Sequence, residues 1–321
     1  MDEAQMKDAS IVVTGASGFT GLHACQALAA VGMKVTAFVR RRVSFDPALA
    51  IHQIEVDLLK PKALQYFMQQ VSPQYVLHLA GMNAVQQSWR APADAMHINM
   101  LGTVHVLEAV RELPDTRVLV ITSKLKSAPT ASRSNLHPYA ISKWFQEQAA
   151  LAWSQLYQMN IMMAEPSNLI GPGPSTGICA LLGGYVARCE RGEHDQPFTF
   201  SSRADWRDYL DVRDAVAAYA HILQRGASGS IYRVESGRVR SLEEVSEVFQ
   251  EMAAASIPYQ WKDPAPLSEL SSETKPIEHS VKLNKDQLEV LPLPESWGWT
   301  PKYSFTESVA DILKYYRQLR R

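Results

Sequence analysis

The sequence predicts an α/β fold: a doubly wound parallel sheet followed by a smaller C-terminal α/β domain. Three observations predict it. Short strands that are apolar on both faces alternate with helical segments from Ser10 to Glu165, which is the pattern of a parallel sheet covered by helices on both sides. The first strand runs into a glycine-rich turn that opens a helix. Beyond Pro166 the alternation breaks, proline and glycine cluster in PSNLIGPGPSTG, and the later segments are shorter and mixed.

Each element has its own pattern. Ser10 to Thr14 (SIVVT) is a β-branched apolar run ending at a glycine, a buried strand. Gly21 to Val31 carries Leu22, Cys25, Leu28 and Ala29 on one helical face. Lys34 to Val39 is a second strand and Ile51 to Val56 a third. Lys60 to Val71 is helical, and Tyr75 to Leu79 is the fourth strand. A long helix is expected through Met96 to Leu113, then a fifth strand over Arg117 to Thr122, a helix over Pro138 to Gln158 and a sixth strand over Ile161 to Glu165. Later, Val212 to Leu223 is helical, Ile231 to Val234 is an extra strand, and Asp263 to Ser280, rich in Pro, Ser and charge, is an extended excursion.

The domain boundaries that follow are 1–166 for the first domain, with a later return near 205–235, and 167–321 mainly for the second. With 321 residues the chain can bury a large core. A net charge of −1 creates no field that would draw it to nucleic acid or to an anionic membrane. Cys25, Cys179 and Cys189 form no CxxC pair and read as reduced thiols, and no metal-binding cluster is expected. The polar start MDEAQMKDAS has no signal-peptide pattern, and no apolar run reaches the length of a spanning helix. The expected location is the cytoplasm.

The turn reads Thr14-Gly15-Ala16-Ser17-Gly18-Phe19-Thr20-Gly21, a GxxGxxG spacing between strand and helix. Glycines there allow a tight turn and close approach to a pyrophosphate, which the helix N-terminus then holds. This predicts a Rossmann-type dinucleotide domain. Enzymes of this fold that take NAD place an acid after the second strand; this chain has Arg40-Arg41-Arg42. A guanidinium can fork onto a 2′-phosphate, so the expected cofactor is NADP, with NAD as the alternative.

Tyr139 and Lys143 are four apart at the start of a helix, and so share a face. A nearby ammonium favours the phenolate and lowers the phenol pKa from about 10, fitting it for proton transfer to a carbonyl oxygen. The same ammonium can hold the nicotinamide ribose. Ser123 follows the fifth strand, at the end of a parallel sheet where ligands sit, and its hydroxyl can polarise the same oxygen.

With these residues in hand, the chain resembles the extended short-chain dehydrogenase/reductase family, the NAD-dependent epimerase/dehydratase group that acts on nucleotide sugars. The resemblance covers nearly the whole chain. It implies cofactor contacts at Gly15, Ser17, Gly18, Phe19, Gly21 and Arg40, at Asp57 and Leu58 beside the adenine, and at Leu79, Ala80, Gly81, Asn99, Tyr139, Lys143 and Pro166. It implies Ser123, Tyr139 and Lys143 as catalytic residues, and Ser123, Asn168 and Arg207 as substrate contacts, Arg207 toward a diphosphate. The second half, with NLIGPGPSTG and DVRD, is most similar to GDP-4-keto-6-deoxy-D-mannose reductases. Reduction of the C4 ketone of a 4-keto-6-deoxy nucleotide sugar is therefore expected, and a homodimer packed through the two long helices.

Other readings stand beside these. Asn168 can shape a turn, and Arg207 can pair with Asp208 or Asp211. Asp211 and Asp214 are spaced as an N-cap and its N3 partner. The segment SKLKSAP departs from the family's Tyr-Gly pattern after the catalytic Ser; Lys124 and Lys126 there are either solvated or hold an anionic substrate. Lys124-Leu125 cannot supply the acid/base pair of a sugar 4,6-dehydratase. The reductases' Arg-Pro-x-Glu is also missing, with Leu270-Ser271-Ser272-Glu273 near its place. The alternatives are a nucleotide-sugar C4 epimerase with tightly held NAD, and a non-enzymatic dinucleotide sensor or scaffold.

Overall fold

The computed structural model describes residues 6–129, 136–193, 196–262 and 289–319. The Asp263–Ser280 stretch and the Leu270–Glu273 segment lie outside them. The chain divides into two compact units: Met1–Pro166 with Ala215–Val234 and Val290–Trp299, and Ser167–Asp214 with Glu235–Glu289 and Thr300–Arg321.

The first unit is built on an eight-stranded sheet. In chain order its strands are β1 (Ser10–Thr14), β2 (Lys34–Val39), β3 (His52–Glu55), β4 (Tyr75–His78), β5 (Arg117–Ile121) and β6 (Ile161–Pro166), then Ile231–Val234 and Val290–Leu291. The spatial order runs from Val290–Leu291 through Ile231–Val234 to β6, β5, β4, β1, β2 and β3. Every pairing is parallel. The order reverses between β1 and β4, the switch point at which open parallel sheets bind ligands. The Rossmann-type doubly wound fold is therefore as expected. Helices α1 (Phe19–Ala30), α2 (Pro61–Val71), α3 (Val85–Arg90), α4 (Pro92–Met96), α5 (Gly102–Val110) and α6 (Pro138–Leu156) connect its strands. One core contains Val12, Val76, Val118, Val120, Ile161 and Met163 from the strands, with Leu64, Met68, Val106 and Leu107 from the helices.

One element differs from expectation. The long helix predicted over Met96 to Leu113 contains a π turn at His97–Leu101, between α4 and α5, in which Gly102 N donates to His97 O. The extra residue in that turn changes the helix phase.

The second unit holds a small sheet of β7 (Asn168–Ile170), β9 (Trp206–Asp211) and Val239–Ser241, and a two-stranded pair of β8 (Phe198–Phe200) with Tyr259–Trp261. Its helices are α7 (Ile178–Glu190), α8 (Val212–Arg225, which continues into the first unit), α9 (Leu242–Met252) and α10 (Phe305–Gln318). Cys179, Leu182, Val186, Phe249, Val309 and Ile312 form a separate core. A Cβ on Gly183 would lie 2.5 Å from Ile312 Cγ2, so a glycine lets α7 and α10 pack closely.

Candidate active site

The turn after β1 is shaped by two glycines that nothing larger could replace. Gly15 sits at φ +67°, and a Cβ there would stand 2.6 Å from Ala80 N. A Cβ on Gly21 would stand 2.2 Å from Gly15 O. Gly18 N closes the turn by donating to Gly15 O at 2.9 Å. Helix α1 then starts at Phe19 with neither a side-chain cap nor an acidic residue in its first turn. Ser17 and Gly18 are exposed. Uncapped amides on a positive dipole end fit a pyrophosphate. These residues therefore fit the dinucleotide that the spacing predicts.

At the end of β2, Arg40 and Arg41 are exposed, while Arg42 turns to Glu55 at 3.2 Å. Asp57 is exposed and its Oδ1 accepts from Leu59 N at 2.9 Å, an Asx turn that shapes the loop after β3. Leu58 O accepts from the His105 ring at 2.8 Å. Leu79, Ala80 and Gly81 follow β4 beside the glycine turn, where Ala80 N donates to Thr14 Oγ1 at 3.3 Å. Pro166 ends β6 and is buried.

Ser123, Tyr139 and Lys143 come together on the first unit, 8%, 6% and 3% exposed. Helix α6 is opened by Pro138 at its first turn and by His137, whose Nδ1 accepts from Ala140 N at 3.0 Å. The His137 ring stacks on that of Tyr139, 5.9 Å between centroids. Ser123 Oγ accepts from Leu125 N at 3.1 Å and hydrogen-bonds the Tyr139 phenol.

The electrostatics differ from the sequence expectation. Burial raises the Tyr139 phenol above its ordinary pKa, and the Ser123 hydrogen bond opposes this only in part. Lys143 does not offset that rise where the phenol titrates, because its own amine is already neutral there. The Lys143 amine is itself buried, and desolvation brings it down to about 7. Its Nζ donates to Ile121 O at 3.0 Å and to Gln146 Oε1 at 2.9 Å. Gly81 has no Cβ for a reason: one there would lie 2.9 Å from Asn99 Oδ1 and 3.4 Å from Lys143 Nζ.

Asn99 lies in the π turn and is fully buried. Its Oδ1 accepts from Met82 N at 2.7 Å, and its Nδ2 donates to Met82 O at 3.1 Å and Ser142 Oγ at 2.8 Å. Ser142 Oγ in turn donates to Tyr139 O at 2.8 Å. Asn99 thus ties the loop after β4 to the first turn of α6 and touches the site through other residues.

The SKLKSAP loop is anchored from beneath. Lys126 neither faces solvent nor presents its charge to a ligand: Nζ lies 2.7 Å from Glu147 Oε2 on α6 and also bonds Glu165 Oε2 on β6. Burial alone would lower the Lys126 pKa, but the two carboxylates outweigh it and the pKa is raised. Burial raises that of Glu147, against the pull of Lys126. Lys124 is exposed. Lys126 N donates to Ser123 O at 3.1 Å, so this anchor also fixes the Ser123 turn.

Asn168 and Arg207 belong to the second unit. Asn168 Nδ2 donates to Asp208 O at 2.9 Å across the β7–β9 pair. Arg207 is exposed, and its guanidinium forks onto Asp205, Nε to Oδ1 at 3.0 Å and Nη2 to Oδ2 at 2.6 Å, where Asp208 or Asp211 was the partner considered from sequence. Asp208 instead accepts from Ser236 and Arg238. Asp211 caps α8 through Arg213 N at 2.9 Å and accepts from Ser308 Oγ at 2.6 Å. Asp214 accepts from Tyr303 N at 3.0 Å.

Sequence reading missed Gln146, His78 and Thr103, and the two carboxylate partners of Lys126. Gln146, three residues beyond Lys143, was visible as a polar residue on the same helical face. Among the described residues no group of three or more His, Cys, Asp or Glu stands ready to hold a metal. No described helix is long and apolar enough to cross a membrane. All three cysteines are free and buried.

Comparison with known proteins places these features. The NAD dependent epimerase/dehydratase family matches residues 11–234. The chain is 28% identical to the GDP-6-deoxy-D-mannose reductase of Pseudomonas aeruginosa, over 94% of this chain and 95% of that protein. It is 26% identical to the UDP-glucose 4-epimerase of Bacillus subtilis, over 90% of this chain and 96% of that one. The solved structure of RMD from Pseudomonas aeruginosa complexed with NADPH is similar at a TM-score of 0.72 and 25% identity, covering 97% of this chain and 98% of that one. The UDP-glucose 4-epimerase of Thermus thermophilus, in complex with NAD, shares the fold at a TM-score of 0.74 and 22% identity, covering 96% and 99%. From the glycine turn to the strand Ile231–Val234, the chain belongs to the NAD dependent epimerase/dehydratase family.

Proposed function

We propose that the protein reduces the C4 ketone of a 4-keto-6-deoxy nucleotide sugar with NADPH. It is an NAD(P)-dependent enzyme of the extended short-chain dehydrogenase type. The observation that carries the reading is the buried grouping of Ser123, Tyr139 and Lys143 beside an uncapped glycine turn. The likeness to a GDP-6-deoxy-D-mannose reductase over almost the full length supports the substrate class.

In this reading Gly15 to Gly21 would hold the pyrophosphate of the dinucleotide, and Asp57, Leu58 and Arg40 its adenosine end. The cofactor, when bound, supplies the hydride. Ser123 orients the ketone oxygen, and Tyr139 donates the proton to it. Lys143 in its ammonium form favours the phenolate that remains and holds the ribose. Asn168 and Arg207 are the further residues proposed to contact the nucleotide sugar, with Arg207 exchanging Asp205 for a diphosphate oxygen. The protein acts as a cytoplasmic homodimer packed through the α4–α5 and α6 helices.

A second reading, sugar C4 epimerisation, is favoured by the likeness to UDP-glucose 4-epimerases. Mass spectrometry and NMR of the products formed from 4-keto nucleotide sugars with NADPH, and from UDP-glucose without added reductant, separate the two. A product heavier by two hydrogens is expected from a keto-sugar. No reduction of any keto-sugar, with C4 inversion of UDP-glucose at unchanged mass, would overturn the reductase reading.

A further inference from the structure

We propose that Gln146 is a positioning residue for Lys143, and that its amide is itself held in one orientation by a buried chain of side chains reaching back to the glycine turn. The inference rests on the reading of Lys143 as the amine that serves Tyr139.

The chain is traced atom by atom. Gln146 Oε1 accepts from Lys143 Nζ at 2.9 Å, and Gln146 Nε2 donates to Thr103 Oγ1 at 2.9 Å. Thr103 spends its one hydroxyl hydrogen on Asn99 O at 2.7 Å. It must therefore accept from His78 Nε2, 2.8 Å away, which fixes the proton of the neutral imidazole on Nε2. His78 Nδ1 is then the acceptor for the Thr14 hydroxyl at 2.7 Å, and Thr14 Oγ1 accepts from Ala80 N at 3.3 Å. Donation converges on Thr103 from both ends, from Ala80 N through Thr14 and His78 on one side and from Lys143 through Gln146 on the other. Thr14, His78, Thr103 and Gln146 are all fully buried, so no water competes for the bonds.

A flipped Gln146 amide would set an NH₂ against the Lys143 amine and an oxygen against a hydroxyl with no hydrogen left to give. The network thus keeps an acceptor pointed at Lys143. The amine's other acceptor is the Ile121 carbonyl. The titratable groups around the amine are His78 from β4, held neutral by burial at about 3, and, one turn back and one turn on along its own helix, Tyr139 and Glu147. Strand β5 offers the Ile121 carbonyl, the loop after β4 offers Gly81, and the π turn and α5 offer the uncharged Asn99 and Thr103. The Glu147 carboxylate is taken by Lys126 at 2.7 Å, which leaves the dipole of the Gln146 carbonyl as a principal stabiliser of the ammonium form.

The test compares wild type, Gln146→Met and Gln146→Glu, following Lys143 by the pH titration of its ¹³Cε resonance in lysine-labelled protein, identified by its loss in Lys143→Arg. Removing a hydrogen bond to a charged group should lower the Lys143 titration midpoint by about one pH unit in Gln146→Met, and Gln146→Glu should raise it. The alkaline limb of kcat/KM should move the same way in each variant, with kcat at pH 8 falling about tenfold in Gln146→Met and the KM for the sugar nucleotide unchanged. Thr103→Val, which frees the Gln146 amide without touching Lys143, should shift the midpoint in the same direction by less. Equal midpoints in folded wild type and Gln146→Met would overturn the inference. Shifted midpoints without turnover of any keto-sugar by wild type would leave it standing and sink the reductase reading.

Discussion

Lys126 stands 2.7 Å from Glu147, inside a cluster where one buried amine also serves Glu165. Removing the amine leaves two desolvated carboxylates facing each other. Lys126→Met should therefore cost about 3–5 kcal/mol of stability. Adding Glu165→Met and Glu147→Gln should restore most of it. Urea denaturation of the single and triple variants checks both, and equal stability of Lys126→Met and wild type would contradict the clamp.

Lys143 carries a stability cost that depends on pH. The unfolded amine keeps its proton to about pH 10.4. The folded one lets go near 7. Between those values unfolding takes up a proton, so the fold gains stability as pH rises through the window, and at or below pH 7 the burial penalty is complete. Lys143→Met removes this dependence. Relative to wild type, it should be more stable at pH 7 than at pH 10 by on the order of 3 kcal/mol, while losing activity. Thermal melts at the two pH values read the difference directly.

Tyr139→Phe keeps the buried ring and its stacking on His137 but removes the phenolic proton. If Tyr139 is the acid, kcat should fall about 10²–10⁴-fold with little change in Tm. Near-normal turnover would reassign the proton donor.

Arg40 is exposed at the end of β2, whereas Arg42 is occupied by Glu55. Arg40→Ala should therefore reduce the preference for NADPH over NADH about tenfold, the scale of one charge-assisted hydrogen bond. Arg42→Ala should leave the preference nearly as it is. The ratio of kcat/KM for the two cofactors measures this.

Gly21 packs its α-carbon against the turn, and an added Cβ would meet Gly15 O at 2.2 Å. Gly21→Ala should distort the turn and weaken NADPH binding about tenfold or more, while Gly177→Ala, at φ −72° with the nearest atom 3.6 Å from the added Cβ, should not. Fluorescence titration with NADPH compares them.

Much of the first unit was legible because its signals are local. The runs over β1, β2 and Ile231–Val234 are short and largely apolar, and their observed bounds coincide with those read from sequence. Helices α9 and α10 were passed over although each opens with a Ser-x-x-Glu capping box, Ser241 with Glu244 and Ser304 with Glu307. Strand Val290–Leu291 exists only because Ile231–Val234 offers it an edge, which no local pattern announces. The grouping of Tyr139 with Lys143 follows from helical spacing, but the protonation behaviour does not. Burial reverses the direction expected for the phenol, and burial is a property of the assembled sheet and helices. Lys126 was unreadable for the same reason: its two partners lie on α6 and β6.

The π turn at His97–Leu101 makes the length of this segment a constraint in its own right. Shortening it by one residue would restore ordinary α-helical winding and swing one side of the break by about 100° relative to the other. Asn99 would leave Met82 and Ser142, or Thr103 would leave His78 and Gln146, since both arms cannot keep their partners. Substitutions along this stretch can be absorbed one contact at a time, but a single-codon deletion would uncouple the loop after β4 from α6 in one step.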